Sequence, residues 1–240
     1  MTIPTAEDWR ALARSAPWLW QSVEFELSWS NWSMVATLDT PLHAWLRRPG
    51  DVRVGMPEGE IAIERRGWLG PQPPDRPHTR RPDGLVLTRT FATDGDDHGL
   101  YFHNYYWLAL LDPQELADGV NYAGDVPITL PGTDVRDVMV TERFGRTTWW
   151  ATVAPTEHYY PRCSCCAMLP GPIANRLEYG GAGPPAYLGD RTYPAQWLVG
   201  LDLETGLPVS LSPAPGEAAG DSHSMRIRAV DEPMADSLFT

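Results

Sequence analysis

Apolar and polar residues alternate strictly from Val23 to Ser30: Val23, Phe25, Leu27 and Trp29 on one side, Glu24, Glu26, Ser28 and Ser30 on the other. A period of two predicts a strand with one buried and one wet face. Met34 and Ala36 carry the alternation on through Trp32 to Leu38. Ahead of this strand the period changes. Trp9, Leu12, Ala13 and Ala16 recur at helical spacing behind Thr5 and Asp8, a shortened capping box, and predict a helix that Pro17 ends.

The same reading continues along the chain. Gln196 to Leu211 reads as two apolar strands reversing at Glu204-Thr205-Gly206, where glycine supplies the positive φ of a tight turn. A similar layout runs from Ala44 to Met56 and on to Ile61 and Ile63. Leu85 to Phe91, Val126 to Leu130, Asp137 to Phe144, Thr147 to Ala154 and Met225 to Val230 are further strand candidates, with Gly145-Arg146 as a turn. Asp112 with Pro113 behind it predicts a second short helix that Gly119 closes. Residues 70–84 hold five prolines and read as a Pro-rich loop insertion, and 155–190 as an irregular segment rich in Gly and Pro. With about nine strands and two helices, residues 1–240 are expected to form a single α+β domain built on an antiparallel sheet.

Composition supports this and narrows the partners. The chain has 21 glycines and 24 prolines in 240 residues, a turn-rich balance that suits many short strands. All 19 basic residues are arginine and none is lysine, which fits either codon bias or selection against reactive amines. A net charge of −12, with arginines only in isolated pairs such as Arg47-Arg48, Arg65-Arg66 and Arg80-Arg81, argues against nucleic-acid binding. The longest apolar window, Tyr105 to Leu111, is far too short to span a membrane. Glu7 and Asp8 interrupt the first twenty residues, no signal peptide is visible, and a cytoplasmic location is expected.

Candidate chemistry is sparse. Cys163, Cys165 and Cys166 are spaced to place two or three thiolates around one soft ion, Zn²⁺ or Cu(I), with His158 close enough to add a nitrogen. The same residues suit buried structural thiols, a redox site beside Arg162, or a Cys163 to Cys166 disulfide, and the spacing leaves these open. Asp94 to His98 lacks the oxygen spacing of a calcium loop, and His98 and His103 read as packing or surface residues. No nucleophile elbow, P-loop or dinucleotide fingerprint is present. Trp149 and Trp150 are adjacent on a strand and must face opposite sides, so one of them meets a second layer, a ligand or a partner.

Three segments together resemble the outer-membrane lipoprotein-carrier (LolA-like) superfamily: Trp45 to Val54 with its Pro49-Gly50 turn, Leu201 to Pro208 with Thr205-Gly206, and the helix-to-strand opening of residues 5–29. The resemblance implies a strongly curved antiparallel sheet, an incomplete barrel around an apolar cavity, with short helices covering one face. The function expected is then non-catalytic: a binding or regulatory module whose aromatic-lined concave face, from Phe25, Trp29, Trp45 and one of Trp149 and Trp150, takes an apolar small molecule or a protein segment. The alternative is a metal-binding or thiol-redox protein centred on Cys163, Cys165 and Cys166. Nothing in the chain arranges an acid, base and nucleophile for an enzyme.

Overall fold

The computed structural model describes residues 3–30, 38–56, 59, 61–65, 77–91, 106–123, 126–161, 163, 166–180 and 191–240. The continuation of the first strand through residues 31–37, the segment 92–105 with its histidines, and Cys165 lie outside the described residues.

Helix α1 (Ala6–Ser15) starts as expected. The Thr5 hydroxyl accepts from the Asp8 amide at 3.2 Å, and the Asp8 carboxylate accepts from the Thr5 amide at 2.7 Å, satisfying two end donors reciprocally. Its apolar stripe of Trp9, Leu12, Ala13 and Ala16 is fully buried. Pro17 falls in a single 3-10 turn, Ala16–Trp18, that ends the helix.

Nine strands form one antiparallel sheet. In chain order they are β1 (Ser22–Ser30), β2 (Leu38–Arg47), β3 (Asp51–Gly55) and β4 (Ile61–Arg65), then β9 (Thr133–Arg143), β10 (Arg146–Pro155), β11 (Trp197–Asp202), β12 (Pro208–Pro213) and β13 (Ser222–Val230). The spatial order β4-β3-β2-β1-β13-β12-β11-β10-β9 makes the sheet two meanders joined where the last strand pairs with the first, Val23 opposite Val230 and Trp29 opposite His223. Its edges, β4 and β9, do not pair with each other, so the sheet is not closed into a barrel. The protein is α+β, with one large antiparallel sheet and a few short helices.

Inward residues of eight of these strands, from Val52 on β3 round to Val135 on β9, enter a single buried cluster. Helix α1 covers the β9 to β11 side of that cluster. Trp9 Nε1 donates to the Trp149 carbonyl at 3.1 Å, and the β11–β12 turn presses on the helix. Gly206 there has φ +69°, and a Cβ on it would stand 2.7 Å from the Leu12 carbonyl oxygen, so conformation and contact both demand glycine.

Between the two meanders the chain runs through β5 (His78–Arg80), β6 (Val86–Arg89), α2 (Tyr106–Leu111), β7 (Asp118–Ala123) and β8 (Val126–Pro131). Residues 77–84, expected within the Pro-rich loop, form β5 and the turn of a small hairpin with β6; residues 70–76 lie outside the described residues. The hairpin is held to α1 by the Arg81–Asp8 ion pair at 2.5 Å and by the Val86 amide donating to Ser15 Oγ at 2.7 Å. The expected helix at Asp112 is displaced: α2 ends there, and only a 3-10 turn, Gln114–Leu116, follows. Every residue of α2 is buried, so its apolar run shows no period from which a helix could be recognised. The irregular segment 155–190 contains α3 (Pro172–Tyr179).

A buried ionic network ties α1 to this region. Arg89 makes a bidentate pair with Asp112, 2.7 Å for each bond, and donates to Gln114 Oε1 and the Arg14 carbonyl. Arg14 in turn donates to Asp118 at 2.7 Å and to Glu7 at 2.8 Å. Burial raises the Asp118 pKa, although the neighbouring Arg14 charge opposes it.

Candidate functional site

The register separates the aromatics expected to line one concave face. Phe25 lies opposite Ala44 and Ile227 on the core face, where its ring sits 5.7 Å from that of Trp107, and Trp29 shares that face. Both are buried, and Trp149 packs against the same cluster. Trp45 lies elsewhere: it pairs with Glu24 and Arg53, so it points to the opposite face, stacked on His43 at 3.8 Å. Trp150 also faces away from the core, lying over Gly200 and under the Arg143 guanidinium. Alternation along β2 and β10 separates what residue type alone had grouped. The core face is occupied by α1 and α2.

The Cys166 amide donates to the Cys163 carbonyl at 3.1 Å, which sets both cysteines in one turn. His158 lies 3.6 Å from Glu157, and its carbonyl accepts from Val120. Among the described residues no three His, Cys, Asp or Glu side chains converge as metal ligands.

Behind the core face the structure assembles polar groups that sequence reading missed. Glu115, buried on its 3-10 turn, accepts from the Tyr159 hydroxyl at 2.5 Å and from the Met168 amide at 2.8 Å. Tyr106 and His223 meet at 2.5 Å through the Tyr hydroxyl and Nδ1, and His223 Nε2 lies 2.7 Å from the Pro208 carbonyl. A carbonyl only accepts, so Nε2 carries the proton and Nδ1 accepts from Tyr106. Burial pushes the His223 pKa down to about 4. Burial, followed by the charges of Glu115 and Asp221, pushes the Tyr106 hydroxyl well above its usual range.

Asp221 connects this interior to an opening. It precedes β13 and lines a pocket of about 210 Å³ with Pro170, Arg191, Tyr193, Pro194 and Ala219. The pocket lies where β11 and β13 begin, away from the β11–β12 turn that contacts α1. Gly220 lets its walls close, because a Cβ there would stand 2.6 Å from the Pro194 ring. Burial raises the Asp221 pKa to about 6, with the Arg191 charge partly offsetting it. Among the described residues Asp221 makes no hydrogen bond and no ion pair within 4 Å. A second surface hollow at Arg146 is chemically satisfied, since that guanidinium already binds Asp202 at 2.7 and 2.9 Å and Glu204 at 2.7 Å.

No protein-family model matches this chain, and no curated protein sequence matches it.

Acid titration should expose the opposition between Asp221 and His223. Between the usual histidine value of ~6.5 and about 4, the unfolded chain binds a proton that buried His223 refuses, so stability falls with pH, by at most about 1.4 kcal/mol per unit. Asp221 acts in the other direction: from ~3.9 to about 6 the folded state holds the extra proton, so its contribution rises as pH falls. Asp221→Asn removes that gain. Urea denaturation from pH 7 to 4 should then show a steeper acid loss in Asp221→Asn than in wild type; equal slopes would mean the carboxyl titrates normally.

Proposed function

We propose that this protein is a non-catalytic binding or regulatory module whose ligand enters at the Asp221–Tyr193 pocket. The observation that carries this is a partly buried carboxyl without a bonding partner among the described residues, facing a preformed pocket beside a filled core. Packing of Phe25, Trp29 and Trp107 favours a small ligand at the sheet's end over a long apolar chain within the sheet. A strongly curved, open half-barrel in the manner of the lipoprotein-carrier superfamily belongs to the same proposal. It is supported by the single cluster shared by eight strands and by the two unjoined edges.

Ala219 is exposed at the pocket and is not a member of the buried core cluster, so Ala219→Trp is the blocking variant. Native mass spectrometry of gently purified protein is expected to show a retained small molecule that is lost in Ala219→Trp, while the melting temperature without ligand stays within about 2 °C, as for a surface change. The same retained mass in both proteins would move the site elsewhere.

A second reading centres on the thiols and is favoured by the turn that joins Cys163 to Cys166. It predicts about one equivalent of zinc or copper by elemental analysis, lost in the Cys163→Ser, Cys166→Ser double variant. Metal-free wild type with thiols that react freely would exclude it.

A further inference from the structure

We infer that the Asp221 pocket takes a small zwitterion of amino-acid size, its ammonium against the Asp221 carboxylate and its carboxylate against the Arg191 guanidinium. This deepens the binding reading above and rests on it.

The first support is an ion pair that does not close. Asp221 and Arg191 line the same pocket and feel each other's charge, yet they form no contact within 4 Å, and neither has another hydrogen-bond partner among the described residues. Elsewhere this chain closes its arginine pairs tightly, with Arg81–Asp8 at 2.5 Å, Arg89–Asp112 at 2.7 Å and Arg146–Asp202 at 2.7 Å. Two opposite charges held apart across a cavity match a ligand that carries both charges in the reverse order.

The walls fit such a ligand. Pro170 and Pro194 offer rigid apolar surface, and Tyr193 lines the same pocket as the two charged groups. The Tyr193 oxygen accepts from Asn175 Nδ2 at 3.1 Å, which leaves its own O–H to donate to a ligand carboxylate. A volume of about 210 Å³ equals the liquid volume of about seven waters, room for a molecule of about ten heavy atoms.

Other chemistries fit less well. An inorganic anion meets Arg191 but is repelled by Asp221, and a metal ion finds one carboxylate among the described lining residues where it needs several oxygens. Binding an ammonium also relieves the buried carboxylate, whose preference for its proton reflects burial without a close cation.

Isothermal titration with each of the standard amino acids, in parallel with their methyl esters and N-acetyl derivatives, tests the inference. At least one amino acid is expected to bind at one equivalent. Asp221→Asn and Arg191→Gln should each weaken it by about tenfold or more, the scale of one charged hydrogen bond. The methyl ester, which keeps only the ammonium, should depend on Asp221 and be indifferent to Arg191→Gln. The N-acetyl derivative, which keeps only the carboxylate, should depend on Arg191 alone.

Equal binding of ester and free amino acid, with no effect of Arg191→Gln, would overturn the zwitterion. So would failure of every amino acid to bind; if Ala219→Trp still removes a retained molecule in that case, only the ligand class fails. If Ala219→Trp removes nothing, the pocket reading fails as well. Circular dichroism of each variant separates lost binding from lost folding.

Discussion

Replacing Arg89 with Met should cost about 3–5 kcal/mol of stability, the usual penalty for breaking a buried ion pair from one side. The Arg89 side chain is only 1% exposed and holds Asp112 by two bonds at 2.7 Å while bridging to Gln114 and to the end of α1. Without it Asp112 keeps a nearly buried charge and loses both bonds from Arg89, and Arg14 loses the bond to its carbonyl. Urea denaturation at neutral pH measures the loss. Adding Asp112→Leu to Arg89→Met should recover much of it, because an apolar pair of similar volume avoids burying charge at all. Failure of the double variant to recover would show that Asp112 works through other contacts.

Trp9→Ala is expected to be comparably severe, at about 3–5 kcal/mol, since a fully buried indole leaves a cavity that helix and sheet cannot both collapse into. Trp9 lies in the helical stripe that packs on the β9 to β11 side and also carries the bond from Nε1 to the Trp149 carbonyl. Trp9→Phe keeps most of the packing and loses that bond, and should cost less, about 1–3 kcal/mol, the scale of one lost hydrogen bond with a modest change of core volume. Chemical denaturation of the pair separates the two contributions. A Trp9→Ala loss below that of Trp9→Phe would mean α1 is held mainly by the ionic network.

The two variants probe elements that differ in how far local rules reach. Helix α1 was legible because its cap, stripe and terminating proline all act within thirteen residues, and β1 because Val23 to Ser30 alternate without a break. The turns at Gly145 and Gly206 were legible because positive φ is a property of one residue. Helix α2 was not, since an apolar run buried on all sides carries no period.

Register and desolvation lie beyond such rules. That Trp45 points away from Phe25 depends on β2 pairing Ala44, and not Trp45, with Phe25, and the pairing of β1 with β13 joins residues some two hundred positions apart. Asp221 reads in the chain as one more acidic residue in a Gly- and Ala-rich loop. It becomes a candidate site only when Pro170, residues 191–194 and 219–221 fold together and withdraw water from its carboxyl, which burial raises to about 6. Backbone preference and periodicity are set by near neighbours along the chain and can be read there. The burial of a charge is a sum over atoms brought in from distant segments, and only the folded chain supplies it.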